Sequence, residues 1–175
     1  MGIDSRMVRG DDRRMDLADL DTRARFALPD LPDPIDYEQN GGVRTEKVLI
    51  IQGDPDNARS IERDLRSVGF PDVMIEGDGD AGLERTRREV FDLVLCGFMM
   101  PGLLGDEVVQ RVRANARTRN LPVIMLTAQA GIAHVCRAME AGADDYMTKP
   151  FDPIELHAHI RAVLRRRQRE PAVPR

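Results

Sequence analysis

From residue 47 onward, hydrophobic and polar positions follow one another in two alternating patterns. Short apolar runs predict strands buried on both faces of a parallel sheet, and apolar residues three or four positions apart predict amphipathic helices. The predicted strands fall within residues 47–54, 73–75, 91–102, 121–128 and 145–148. Five alternating units of this kind predict an α/β fold, in which helices cover both faces of the sheet and the crossovers are right-handed.

The helix boundaries are marked by capping residues. Asp54 precedes Pro55, which is the order expected of an N-cap and a first helical position, and Gly69 ends this helix. A second helix is predicted at residues 81–90. Three further helices are indicated by apolar stripes: Val108, Val109 and Val112 for the third; Ile132, Val135 and Met139, with Gly142 as C-cap, for the fourth; and Leu156, Ile160, Val163 and Leu164 for the last.

Residues 1–44 have a different composition, with mixed charge and a proline-rich run. We interpret them as a tail and linker in which residues 13–28 form a short helix, ordered on a partner or on the protein's own domain, or remain disordered. The expected organisation is a tail (1–44), a domain (45–168) and a basic C-terminal tail (169–175).

Charge and composition narrow the classes of protein. The net charge of −4 comes from residues 1–46, while residues 161–175 carry six Arg and one Glu. The two cysteines have no framework spacing and no signal peptide or membrane span is recognisable, so we expect a cytoplasmic protein without membrane contact. The Arg-rich end lacks a recognition motif, and nucleic acid is an improbable partner.

Four stretches identify a family resemblance: KVLIIQGD (47–54), FDLVLCGFMMPG (91–102), LPVIMLTA (121–128) and GADDYMTKPF (142–151). In this order and spacing they resemble the receiver domain of bacterial response regulators, the CheY-like fold, over about residues 45–168. The resemblance implies a flavodoxin-like sheet of strand order 2-1-3-4-5. It also implies a phosphoryl acceptor Asp at the end of the third strand, and Mg²⁺ held by that Asp and an acidic pair ending the first strand.

This sequence departs from that pattern at all three acidic positions. Gly97 stands at the acceptor position, and Gln52 and Gly53 replace the acidic pair. A phosphoryl acceptor must be a nucleophilic oxygen and Mg²⁺ prefers oxygen ligands, yet only Gln52 offers a side-chain oxygen, which is neutral. Asp54 could substitute, but an Asp before Pro at a helix start is better explained as an N-cap. We therefore expect no Mg²⁺, no cofactor and no enzymatic activity.

Two other reactive side chains near the third strand are interpreted structurally. Asp92 begins the strand at the end opposite the pocket, and Cys96 inside the strand is typical of a small core hydrophobe rather than a reactive thiol. His157 and His159 lie two apart on a helix, so they cannot share a metal, and His134 is alone.

The positions that contact the phosphoryl group in active receivers are retained. By resemblance, Thr127 and Lys149 match the hydroxyl and the lysine, Tyr146 matches the aromatic that changes rotamer, and Lys149-Pro150 is expected to be a cis peptide. Either these residues serve turn and loop geometry, or Thr127 and Lys149 form a small pocket that accepts an anion. A partly buried lysine must in any case find a carboxylate, an anion or water.

The resemblance also points to an interaction surface formed by the fourth helix, fifth strand and fifth helix. His159 stands where receivers that dimerise there usually carry Arg, so a charge-paired homodimer is not assured; the alternative is a solvated face. The residues expected on this face are Arg137, Glu140, Asp144, Asp145, His159 and Arg161.

Three hypotheses on function follow. The first is a stand-alone pseudo-receiver, with no output domain after it, that contacts a histidine kinase, another regulator or a pathway enzyme without being phosphorylated. The second is a receiver phosphorylated at an unusual residue. The third is a sensor of small anions that uses Lys149 and Thr127.

Overall fold

A computed structural model describes residues 45–128 and 131–169 of the chain, with side chains up to residue 166. The predicted tail, its helix at 13–28, and residues 170–175 lie outside this part. Strands and helices alternate as β1 (Lys47–Ile51), α1 (Pro55–Ser67), β2 (Asp72–Glu76), α2 (Gly79–Arg88), β3 (Leu93–Gly97), α3 (Gly105–Ala114), β4 (Val123–Thr127), α4 (Ile132–Glu140), β5 (Asp145–Thr148) and α5 (Pro153–Arg169).

The sheet has the strand order β2-β1-β3-β4-β5, and all four strand pairs are parallel. This confirms the predicted flavodoxin-like α/β fold. The register pairs Ile51 with Cys96 and Gly97 with Leu126, so the carboxyl ends of β1, β3 and β4 meet at one edge. Open α/β sheets bind ligands beyond this edge.

Alternate residues of the central strands enter two apolar layers, one on each face of the sheet. Residues such as Leu49 and Val94 pack with α2, α3 and α4, whereas Val48 and Leu95 pack with α1 and α5. Because both faces are covered, the central strands are apolar throughout, as their sequence predicted. None of the described helices is both long and apolar enough to cross a bilayer.

Helix α2 differs from its predicted bounds of 81–90. It begins at Gly79 because the carboxylate of Asp78 caps it, accepting a hydrogen bond from Ala81 N at 2.7 Å. It ends at Arg88 because Glu89 is extended, which leaves Val90 outside the helix and 85% exposed.

The stripe predicted for α4 is also wrong. Ile132 is 81% exposed and Met139 47% exposed, while Ala138 is the helix residue that is buried. Six of the nine residues of this short helix are apolar, so the sequence pattern did not define which of them pack. The close approach to the sheet selects the small Ala138 instead. Gly142 follows the helix at φ +99°, as expected of a C-terminal glycine.

Candidate functional site

The residues at the carboxyl edge of the sheet form a filled pocket. Gln52 follows β1, is 6% exposed, and donates its backbone N–H to Glu76 O at 2.9 Å. Its side-chain amide lies against Gly97: a Cβ atom built on Gly97 would meet Gln52 Oε1 at 2.8 Å and the amide nitrogen at 3.1 Å. The amide of Gln52 therefore takes the space in which any side chain at position 97 would begin.

Gly53 is enclosed by the loop that follows β3. A Cβ on Gly53 would lie 2.6 Å from Cδ of Pro101 and 3.3 Å from Cα of Met100. This loop is held at its base, where Gly105 N donates to Phe98 O at 2.9 Å, and near its middle, where Gly79 N donates to Pro101 O at 3.4 Å. A side chain at position 53 would require the loop to move away.

Asp54 is the carboxylate that follows these two positions. Its Oδ1 accepts hydrogen bonds from Asp56 N at 2.9 Å and Asn57 N at 3.1 Å, which caps α1. This confirms the N-cap interpretation.

Thr127 and Lys149 lie together at the ends of β4 and β5. Lys149 N donates to Thr127 O at 2.7 Å, Thr127 is 4% exposed, and the peptide bond from Lys149 to Pro150 is cis, as the motif implied. Burial lowers the pKa of the half-buried Lys149, and the negative charge of Asp54 opposes that shift. Within residues 45–128 and 131–166, we find no hydrogen bond or ion pair to the Lys149 ammonium.

The residues at the three positions of the acidic site do not fit Mg²⁺. The ion prefers near-octahedral oxygen coordination that includes carboxylates, whereas Gln52, Gly53 and Gly97 together offer one neutral side-chain oxygen, packed against Gly97. The described part of the chain contains no group of three His, Cys, Asp or Glu side chains arranged to hold a metal.

Asp92 and Cys96 have the structural roles that the sequence suggested. The Asp92 carboxylate accepts a hydrogen bond from Lys47 N at 2.8 Å, at the opposite end of the sheet from the pocket. Cys96 is fully buried, and burial, reinforced by the charge of Asp106, raises the pKa of its thiol to about 12. A thiol with that pKa is an inert core group at neutral pH.

The face formed by α4, β5 and α5 is partly neutralised within the chain. The guanidinium of Arg137 bonds to Asp106 on α3, and Asp144 pairs with Arg113 at 2.7 Å. Of the predicted face residues, Asp145 and His159 contact each other, with Oδ2 and Nδ1 2.6 Å apart. Glu140 is exposed and Arg161 half-buried.

The contact between Asp145 and His159 shifts both pKa values. The hydrogen bond that His159 donates to Asp145 raises the pKa of His159 above its ordinary value. Burial alone would raise the pKa of Asp145, but the bonds from His159 and from Tyr146 N outweigh burial and lower it. Tyr146 itself is half-buried and packs against the core. His157 lies beside Phe70, at 6.2 Å between ring centroids, which confirms that the two helix histidines diverge.

Sequence reasoning missed the buried acid Asp106. It is 5% exposed in the first turn of α3, and the Arg137 guanidinium that neutralises it also lies 5.4 Å from the ring centroid of Phe98. Phe98 in turn stacks edge-on against His134 at 5.2 Å. An acid in the first turn of a helix is ordinary in sequence, so nothing marked Asp106 as buried.

Comparison with known proteins gives consistent matches. The sequence profile of the response regulator receiver domain matches residues 48–161. The DNA-binding response regulator MtrA of Mycolicibacterium smegmatis is 41% identical over 127 residues, which are 73% of this chain and 54% of MtrA. Response regulator ArlR of Staphylococcus saprophyticus is 41% identical over 120 residues, which are 69% of this chain and 53% of ArlR. The chain thus spans about half the length of these relatives.

Solved structures agree. A putative response regulator from Chloroflexus aurantiacus superposes with a TM-score of 0.67 at 34% identity, covering 70% of this chain and 99% of that one. The receiver domain of a sensor histidine kinase from Pseudomonas aeruginosa, which has a magnesium ion coordinated in its active site cleft, gives a TM-score of 0.64 at 30% identity. That match covers 68% of this chain and 97% of the receiver.

Proposed function

This chain belongs to the response regulator receiver domain family, and from that premise we propose that it is a pseudo-receiver, an interaction module that works without being phosphorylated. Receiver domains are signalling modules of two-component pathways and interact with histidine kinases and other signalling proteins. The proposal keeps the signalling role and removes the phosphoryl chemistry and the Mg²⁺ that accompany it in the family.

The observation that carries the proposal is the packing of Gln52 against Gly97. Two features of the pocket act together: it lacks the carboxylates that would bind Mg²⁺ and accept a phosphoryl group, and the space at position 97 is filled by an amide. In addition, the loop at Pro101 occupies the space beside Gly53. A pocket that lacks these three carboxylates and is filled at position 97 is suited to a fixed conformation rather than to a phosphorylation switch.

The partners follow from this role. With no phosphoryl input, a receiver can influence a pathway only through contacts, made with a histidine kinase, another regulator, a pathway enzyme or a second copy of the chain through α4, β5 and α5. DNA binding is stated in the name of MtrA, a protein about twice as long as the matched segment. That this chain does not bind nucleic acid therefore remains our prediction.

Intact-mass measurement tests the proposal directly. The protein is incubated with Mg²⁺ and acetyl phosphate, beside a receiver that retains the three carboxylates. We expect a gain of one phosphoryl group in the control receiver and none in this protein. A gain that hydroxylamine removes would show an acyl phosphate and would overturn the proposal in favour of a receiver phosphorylated at an unusual carboxylate.

A second candidate function is recognition of a small anion at Lys149. It is favoured by the half-buried ammonium, for which the described residues provide no hydrogen bond or ion pair, beside the buried Thr127. Calorimetric titration with phosphate and with nucleotides tests it, with Lys149→Met as the matched variant. Heat of binding that disappears in the variant supports the candidate, and no heat in either protein excludes it.

A further inference from the structure

A positively charged surface lies at the end of the sheet opposite the pocket. Here α2, α3 and α5 reach their carboxyl ends, and residues 115–122, which we call the α3–β4 loop, run between α3 and β4. This surface is separate from the pocket, and it borders the face of α4, β5 and α5 at Asp144 and Arg166. It deepens the function proposed above, and rests on it, because it would supply one of the contacts through which such a domain acts.

The α3–β4 loop is held rigid by hydrogen bonds. Asn115 Oδ1 accepts from Arg117 N at 2.9 Å, and the hydroxyl of the buried Thr118 donates to Val112 O at 2.9 Å. The guanidinium of Arg113 donates to Arg119 O at 3.0 Å and to Leu121 O at 2.7 Å. The backbone of the loop is therefore ordered before any partner arrives, which lowers the entropic cost of binding.

A cleft opens on each side of this loop, and each contains one of its arginines. The first has a volume of about 180 Å³ and is lined by Arg119 and Arg166 above Pro122 and Val163. The second has a volume of about 110 Å³ and is lined by Arg117 above Phe91 and Leu121, with Arg87, Arg88 and the 85%-exposed Val90 at its rim. Both clefts place arginine side chains beside apolar ones.

The acids near these clefts are already bonded. Asp144 accepts from Arg113 and from Val123 N, both at 2.7 Å, and Glu89 is bonded to Lys47 and Arg85, both at 2.7 Å.

Three arginines of the described residues make no ion pair, although the charge of Arg166 acts on Asp145. In the described part of the chain, no carboxylate lies within ion-pairing distance of Arg117, Arg119 or Arg166. Stabilisation of helix ends explains cations in the last turns of helices, but Arg117 and Arg119 lie in a loop, where that explanation does not apply.

We propose that the two clefts and the α3–β4 loop bind an acidic polypeptide segment of a partner protein, one that also carries apolar side chains. Carboxylates of the segment would bond to Arg117 and Arg119, and its apolar side chains would enter the clefts beside Val90 and Val163. A peptide fits better than nucleic acid because the apolar residues that line the clefts are aliphatic, apart from the buried Phe91, so the clefts present no exposed aromatic ring for base stacking.

The test uses unphosphorylated protein without Mg²⁺ and three labelled probes: a short peptide of alternating Glu and Leu, its Lys and Leu counterpart, and a short DNA duplex. Amide chemical shifts should change in residues 115–122 and at Val90 with the Glu–Leu peptide alone. Arg117→Gln with Arg119→Gln should weaken that binding about tenfold, since two charge-assisted bonds are lost. The matched control is Arg59→Gln with Arg63→Gln on α1, which should bind as the unmodified protein does.

Three results would overturn this inference: no change of amide chemical shifts on adding the Glu–Leu peptide, equal binding of that peptide by the variant and the control, or tighter binding of the DNA duplex at the same residues. The side chains of Arg117 and Arg119 make no hydrogen bond in the described residues, so the variant should fold, as thermal unfolding would verify. A negative result in the peptide-binding experiment would not change the result of the intact-mass measurement, so the two proposals can fail separately.

Discussion

The side-chain amide of Gln52 lies directly against the α-carbon of Gly97, where a Cβ atom would come within 2.8 Å of Oε1. Gln52 follows β1 and Gly97 ends the neighbouring β3, and the pairing of Ile51 with Cys96 brings them side by side. The small residue and the long amide are complementary in shape, and each accounts for the presence of the other.

Complementarity of this kind predicts coupled substitutions. Gly97→Ala should lower the free energy of unfolding by about 1–3 kcal/mol, because the buried Gln52 must move. Introducing Gln52→Ala first should remove much of that cost and give a coupling energy of about 1 kcal/mol in urea unfolding of all four proteins. Gly77→Ala is the matched control, since a Cβ there meets no atom within 4 Å. Additive costs would contradict the packing.

The charge on Lys149 should respond to Asp54. Burial lowers the pKa of Lys149 below 10.5 and Asp54 opposes the shift, so Asp54→Asn should lower the pKa further. Asn is also a good N-cap, so helix α1 should remain capped. The chain has only one other lysine, Lys47, so ¹³C-lysine NMR gives two titration curves, assigned with Lys47→Arg. An unchanged curve in the variant would contradict the influence of Asp54.

The bond between His159 and Asp145 should stabilise the fold over a limited pH range. Because the folded pKa of His159 is raised, its contribution is complete below 6.5 and is lost as the pH rises through the folded value. Because the folded pKa of Asp145 is lowered, its contribution is present above 3.8 and is lost as the pH falls through the folded value. The pair should therefore stabilise most between about pH 4 and pH 6.5.

Urea unfolding of His159→Gln checks this. At about pH 5.5 the variant should be less stable by about 0.5 kcal/mol, a value reduced for solvent screening of this partly exposed pair, and the difference should shrink by about pH 9. His159→Arg is the companion variant, because its charge persists at high pH. The difference in free energy of unfolding between it and the His159→Gln protein should therefore not fade as the pH rises. A constant loss for His159→Gln at every pH would indicate packing instead of the ion pair.

Removing the charge of Arg137 should have a larger effect. Arg137→Gln leaves the carboxylate of Asp106, which is 5% exposed, without its cation, and should cost about 1–3 kcal/mol in chemical unfolding. Arg161→Gln on α5 is the control, because the described residues provide no ion pair to it, and it should cost less than about 0.5 kcal/mol. Adding Asp106→Leu to Arg137→Gln should recover most of the loss, since an apolar side chain tolerates the buried position. No recovery would show that Arg137 acts by packing on Phe98.

Local sequence patterns predicted the sheet and the outline of the pocket. Apolar runs such as 47–51 and 93–97 are buried on both faces, and parallel register then brings Gln52 beside Gly97 regardless of what their side chains do. The N-cap at Asp54 was equally predictable because capping depends on neighbours along the chain.

What could not be predicted depends on contacts between residues distant in sequence. The burial of Asp106 is set by Arg137, 31 residues away, and the exposure of Ile132 by the side of α4 that faces the sheet. The start of α2 was missed because Gly79 suggests a loop. Gly82 lies within the helix, and a Cβ on it would come within 2.5 Å of Ile51. Gly82 allows the helix to pack closely on the sheet, and Gly79 allows it to pack closely on Leu103 and Val108.

The attachment of α4 has a consequence for how the domain opens. The small buried side chain of Ala138, the ion pair of Arg137 and the contacts of His134 and Arg137 with the Phe98 ring hold this helix. Its larger apolar residues Ile132 and Met139 face solvent. The free energy needed to detach α4 is therefore a small part of that needed to unfold the whole domain. The backbone amides of α4 should exchange with deuterium earlier than those of most other helices. A partner that covers α4 would therefore slow exchange locally before it changed the stability of the whole domain.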